Sequence, residues 1–267
     1  MTEIEYHRLK TKTGKRLSDA RLTITVNYPF FGYLLAGLDY TPVDVPGLTI
    51  ATNGFKVAYS PMFLDQLSNN ELLFVICHEV LHCALEHISR RKGRQQLIWN
   101  IAVDIVTNEI LMYNISKKRF SGKAPANAVR GKQFLPPNFY KVDGLLNKSA
   151  EEIYRELMLR TKTIKINLET GESPNFDQHH EPGGGEQRKD NLKKEGGTGG
   201  VLTEVFRDSN QKTDWRAKLT QAAVFARNRG KLPLGIEEEY QIAVKGYFPW
   251  QRLLAQYVQR TLAYDAT

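Results

Sequence analysis

The sequence predicts an α+β domain in which helices dominate and one small β-hairpin stands beside them. Three observations carry this. Two long apolar stretches, residues 72–91 and 96–113, contain no Pro, and no Gly falls inside either before Gly93, so both read as helices that are apolar nearly all round and therefore buried. Amphipathic patterns of helical period return from Ser149 through Leu159 and over 215–229. Between Leu48-Thr-Ile-Ala-Thr and Lys56-Val-Ala-Tyr sits Asn53-Gly54, the dipeptide that favours a type I′ hairpin turn. With 267 residues, 41% of them hydrophobic, the chain can bury a sizeable core. We expect a single domain over 1–267 with a flexible Gly-rich insertion at about 172–212.

In chain order, the first segment mixes charges without apolar periodicity to about Arg16. Residues 18–26, with alternating β-branched side chains, fit either a strand or a short helix. Pro29 in a helix's first turn introduces an apolar helix over 30–38, and Pro42 and Pro46 end that unit. After the hairpin, Ser60-Pro61 starts a short helix to Leu67. Ser68 and Glu71 then have capping-box spacing at the start of the first apolar helix, where Asn69 or Asn70 also fits as cap. A Lys-, Gly- and Pro-rich connection runs to about Lys148 and offers a wall for a cleft. Ser149 and Glu152 form a second capping box. The low-complexity stretch 172–200 reads as a mobile loop, and helical segments at 215–229, 236–244 and 250–262 complete the chain.

The chemistry concentrates in the first apolar helix, where His78, Glu79 and His82 have the H-E-x-x-H spacing. On a helix the two imidazoles lie one turn apart, within about 40° of each other, and can converge on one cation with Glu79 beside them as base. Polar groups on a buried helix need partners, and a divalent ion with an activated water satisfies all three. A third protein ligand is required. On an unbroken helix Glu86 lies a turn too far and His87 points to nearly the opposite face, while position 88, a further candidate spacing, is Ile88. The next helix offers Asn100, Asp104 and Asn108 as one polar stripe, and a short loop folds it back antiparallel to the first. Asp104 is the expected third ligand, with Asn100 or Asn108 orienting it, and zinc is the expected ion. The rival reading of the stripe is a helix-to-helix hydrogen-bond network without metal.

Two lesser candidates stand nearby. Tyr59, at the end of the hairpin, is weighed as an oxyanion donor against the blander role of a half-buried strand aromatic, which is favoured. Asp177-Gln-His-His-Glu181, inside the Gly-rich insertion, is weighed as a lid over the cleft or a fourth ligand, against a solvated loop.

The segments Thr52-Asn-Gly-Phe-Lys-Val-Ala-Tyr-Ser-Pro, Val75-Ile-Cys-His-Glu-Val-Leu-His-Cys-Ala-Leu-Glu-His, Arg90-Arg91 and Trp99-Asn-Ile-Ala-Val-Asp-Ile-Val-Thr-Asn together resemble a family of putative metallopeptidase domains. Weaker likeness extends from Tyr28-Pro-Phe-Phe-Gly to Gly230-Lys-Leu-Pro. The resemblance implies a zincin-like core with a small sheet beside the active-site helix, metal ligands at His78, His82 and Asp104, a catalytic Glu79, and a peptide or protein substrate. In zincin-like peptidases an edge strand holds the substrate as an added strand, which makes the hairpin the natural place for a peptide. The family usually precedes a von Willebrand factor A-like domain and is linked to MoxR-type AAA+ ATPases. No such domain fits within these 267 residues, and the ATPase is the expected partner.

Composition narrows the alternatives. The amino terminus lacks the apolar run of a signal peptide and no stretch is long enough to span a bilayer, so a cytoplasmic protein is expected. Cys77 and Cys83, six apart on one helix, are too distant to bridge and read as small core residues, although Cys77 stands next to His78. The net charge of +8 raises nucleic-acid binding, but the basic clusters are dispersed and lack aromatic interleaving, so a solvated basic surface is the default. The rival from another class is a non-catalytic, metal-stabilised module that binds an ATPase or another protein; there Glu79 would be dispensable.

Overall fold

The computed structural model describes residues 2–45, 47–125, 148–163, 178–179, 206 and 214–245. It is mainly helical with one small sheet. α1 spans Glu3–Asn27, α2 Pro29–Leu35 and α3 Pro61–Gln66. The two apolar helices are α4, Asn69–Ala84, and α6, Gln96–Ser116, with the single turn α5, His87–Arg90, between them. α7 is Ala150–Thr163, α8 Trp215–Arg227 and α9 Glu237–Lys245. Strands β1 (Asp39–Pro42), β2 (Ile50–Thr52), β3 (Lys56–Tyr59) and β4 (Gln178–His179) pair in the order β1-β3-β2-β4. Only β2 and β3 run antiparallel; β1 joins β3, and β4 joins β2, in parallel.

α4 is central because its sequence leaves it no exposed face. Every residue from Leu72 to Ala84 is buried, and α1, α2, α6, α8 and β2 all touch it. Ser68 closes its first turn by the reciprocal capping box with Glu71, which leaves Asn69 and Asn70 inside the helix. Glu71 is held below the usual carboxylate range by those Ser68 hydrogen bonds. Facing it, α6 buries Ile98, Trp99, Ile101, Ala102, Val103, Val106, Ile110 and Leu111. The pairings His78 with Asn108 and His82 with Asp104 show that the two helices run antiparallel.

Four expectations need correction. The charged amino terminus and the ambiguous stretch at 18–26 form one 25-residue helix, α1, whose inward face is Thr13, Leu17, Ala20 and Ile24. Those four recur at spacings of four, three and four, a helical period that the β-branched run at 22–26 masks. The hairpin forms but not with a type I′ turn: of Asn53 and Gly54 only Gly54 has positive φ (89°), while Asn53 Oδ1 accepts from the amides of Phe55 and Lys56. Asp39–Pro42, read as the end of a helical unit, is a strand.

The fourth correction bears on the site. The stretch 72–91 is not one helix: α4 ends at Ala84 and the chain turns at Glu86, which adopts left-handed φ, ψ of 54° and 34°. A non-glycine residue there costs about 1–2 kcal/mol. The turn recovers it in contacts: Arg90 Nη1 donates to the Leu85 carbonyl at 2.9 Å, and Trp99 Nε1 donates to the His87 carbonyl at 2.8 Å. Arg216 Nε also donates to the Glu86 carboxylate at 2.9 Å. The expected connection at 126–147 and the helix at 250–262 lie outside the described residues, as does most of the Gly-rich insertion. Among the described residues no helix is long and apolar enough to cross a membrane.

Candidate metal centre

α4 and α6 bring three donor groups to one point. His78 Nε2 lies 2.8 Å from His82 Nε2, and Asp104 Oδ1 lies 3.3 Å from His82 Nε2 and 3.7 Å from His78 Nε2. Among the described residues this trio is the one group of three or more His, Cys, Asp or Glu whose ligand atoms cluster within 4.8 Å. His78 and His82 have 1% and 0% of their surface exposed, whereas the Asp104 side chain keeps 14%, so the site meets its surroundings on the α6 side. Glu79, on α4 between the two histidines, is buried as well.

The remaining imidazole nitrogens decide which atoms can point inward. His78 Nδ1 lies 3.0 Å from Asn108 Oδ1, an oxygen that only accepts, so Nδ1 carries the hydrogen and Nε2 presents a lone pair to the cluster. Asn108 therefore orients a histidine, where the sequence suggested that it or Asn100 would orient Asp104; Asn100 is buried on the same helix. Two imidazole nitrogens and a carboxylate oxygen are the donor set that divalent zinc takes, and bound nitrogens of a tetrahedral site stand roughly 3.4 Å apart. The 2.8 Å nitrogen pair is within about 0.6 Å of that spacing. The residues present thus fit a divalent ion.

His87, set aside in the sequence because an unbroken helix would turn it away, is brought back by the Glu86 turn. Its Nδ1 lies 3.0 Å from His82 Nδ1 and its Nε2 3.4 Å from Glu239 Oε2. Behind it, Arg90 Nη1 donates to Glu239 Oε2 at 2.6 Å, and Nε and Nη2 donate to the two oxygens of Glu151 at 3.1 and 2.6 Å. Glu239 Oε1 accepts from the Ala150 amide at 2.6 Å, in the first turn of α7. Burial pushes the Glu239 pKa up, but Arg90 and then His87 outweigh it and hold the carboxyl far below its usual range. Burial likewise works against the Arg90 charge, yet Glu239 and Glu151 hold its pKa above the ordinary value.

Sequence reasoning missed Glu239 and Glu151, although a signal existed. Ile236, Glu239, Tyr240 and Ala243 share one helical face, and all are buried, so a carboxylate sits where an apolar residue belongs. The other candidates fall elsewhere. Tyr59 is buried in the main core and lines a small cavity with Leu64, Leu72, Val75 and Ile76, and burial raises its hydroxyl pKa, as suits a core aromatic. Cys77 is a buried thiol outside the donor trio, its pKa raised by burial; Cys83, likewise buried and not in a disulfide, lies 3.2 Å by its sulfur from Thr52 Oγ1. Of Asp177–Glu181, Gln178 and His179 form β4 beside Ala51 and Thr52, and the other three residues lie outside the described ones.

The H-E-x-x-H helix and the carboxylate from its antiparallel neighbour together present a donor set that could hold a metal ion. The model of the putative metallopeptidase domain family matches residues 12–267, nearly the whole chain, and the protein belongs to that family. No curated protein and no solved structure matches it.

Proposed function

We propose that the protein is a zinc-dependent peptidase with a zincin-like core, in which His78, His82 and Asp104 hold the ion and Glu79 is the general base. The observation that carries this reading is the convergence of the three donor atoms on one buried point. A bound zinc ion lowers the pKa of its water to about 7 and polarises a carbonyl oxygen. The rest is the work of the chain. Glu79 takes the proton of the attacking water at its carboxylate and returns it to the departing amine, so that one group serves both halves of the hydrolysis. Its burial excludes bulk solvent that would otherwise compete for the proton. Asn108 keeps the His78 ring turned so that Nε2 faces the ion. β1 covers the outer side of β3 and β4 that of β2, so an extended peptide would add at β1 or β4, the sheet's edges, and not on the hairpin itself.

The test separates holding from reacting. Glu79→Gln keeps the shape but removes the proton acceptor, and should lower cleavage of a peptide library by ~10²- to 10⁴-fold while zinc content and Tm stay near the parent values. His78→Ala and Asp104→Ala should lose metal and activity together. Wild-type protein that binds zinc and cleaves nothing would instead favour a metal-stabilised module serving an AAA+ ATPase partner. Zinc loss in Glu79→Gln would make Glu79 a ligand and overturn the assignment of roles.

A further inference from the structure

Four polar groups stand in line behind one side of the candidate centre: His82, His87, Glu239 and Arg90. Their hydrogens can be assigned from the far end inward. Glu239 is ionised against Arg90 and can only accept, so the nearby His87 Nε2, 3.4 Å from its Oε2, carries a hydrogen. A neutral His87 with its hydrogen on Nε2 has a bare Nδ1. That atom accepts, so His82 Nδ1, 3.0 Å away, supplies the hydrogen and its own Nε2 is left bare. On the opposite side Asn108 imposes the same tautomer on His78. Both Nε2 atoms then direct lone pairs into the 2.8 Å between them, with Asp104 Oδ1 alongside, an arrangement that repels itself until a positive charge enters.

We propose that His87 is a positioning residue of this metal centre, fixing the His82 tautomer and ring by accepting its Nδ1 hydrogen and passing the polarity to the Arg90-anchored Glu239. This rests on the reading of His78, His82 and Asp104 as ligands. A carboxylate placed directly behind a metal-bound imidazole raises its basicity; here a second imidazole is inserted, so the charge of Glu239 acts across two rings. The construction explains why the chain turns at Glu86, since only that turn brings His87 Nδ1 to His82. It also explains why the Glu239 carboxylate is buried on an otherwise apolar face of α9, with Arg90 buried against it.

The experiment measures zinc affinity by competition with a chromogenic chelator, and imidazole tautomers by long-range proton–nitrogen NMR on the zinc-loaded wild type. His87→Phe keeps a ring but no nitrogen and should bind zinc ~10- to 100-fold more weakly. His87→Gln, whose carbonyl can accept from His82 while its amide donates to Glu239, should recover most of that loss. In the wild type, His87 should carry hydrogen on Nε2 and none on Nδ1, a result that stands even if the Phe variant does not fold. Wild-type affinity in His87→Phe, equal losses in the Gln and Phe variants, or a hydrogen on His87 Nδ1 would each overturn the positioning role and leave the ligand assignment intact. A wild type that binds no zinc would overturn both.

Discussion

Glu86 decides what the site contains, and nothing in its residue type announces this. The run from Leu72 to Arg91 lacks Gly and Pro, so local propensity continues the helix through it and turns His87 away from His82. The break comes from tertiary contacts formed only after folding: Arg90 on the Leu85 carbonyl, Trp99 on the His87 carbonyl and Arg216 on Glu86 itself. The three donors on α4 and α6 were legible because they repeat at helical spacing on otherwise apolar helices. His87 was not, because its position depends on a strained φ. The strain is testable. Glu86→Gly removes the left-handed penalty and one exposed ion pair worth at most about 1 kcal/mol, so stability measured by urea unfolding should hold or rise by up to about 1 kcal/mol. Glu86→Val should lose about 1–3 kcal/mol at that φ and weaken zinc binding through His87. A fall in stability on Glu86→Gly would mean that the Arg216 contact outweighs the strain.

At the scale of elements, capping boxes and apolar stripes read correctly because their signals are local. Ser68 with Glu71 and Ser149 with Glu152 close α4 and α7 as their spacing requires. Strand β1 left no such signal: it is four partly buried or exposed residues beside a buried β3, and its pairing is long-range. The packing of α1 on α2 was equally hidden. It rests on Gly32, where an added Cβ would stand 2.6 Å from Thr25 Cα and 3.1 Å from its carbonyl oxygen, both backbone atoms that cannot swing aside. Gly32→Ala must therefore push the two helices apart, although alanine is the better helix former by about 1 kcal/mol. Overpacking of this kind costs about 1–3 kcal/mol and should exceed the propensity gain. A stabilised Gly32→Ala in thermal unfolding would show that the helices separate freely.

Across the whole molecule, Arg90 ties distant parts of the chain to the back of the centre. From α5 it reaches Glu151 on α7, Glu239 on α9 and the carbonyl of Leu85 just past the end of α4, while Glu239 caps the first turn of α7. Arg90→Met removes the cation and leaves two carboxylates buried against each other's helices, which should cost about 3–5 kcal/mol at neutral pH. The pH dependence gives this prediction its sign. Glu239 has a folded pKa depressed from the ordinary 4.5, because Arg90 and His87 outweigh its burial. Its contribution is thus complete above about 4.5, where the unfolded chain is also ionised, and is lost progressively as pH falls below that value towards the folded pKa. In Arg90→Met the same carboxyl is buried without its cation, its pKa moves above the unfolded value, and protonation on acidification relieves the penalty. Urea midpoints taken at pH 7 and at pH 4 should therefore show a large gap between wild type and variant that narrows at the lower pH. Arg90→Lys, with one ammonium in place of a planar fork spanning two carboxylates, should fall between them. A gap that stays constant or widens on acidification would mean that the variant's loss comes from packing of the long side chain, and that the charge network is not what holds α7 and α9 to the centre.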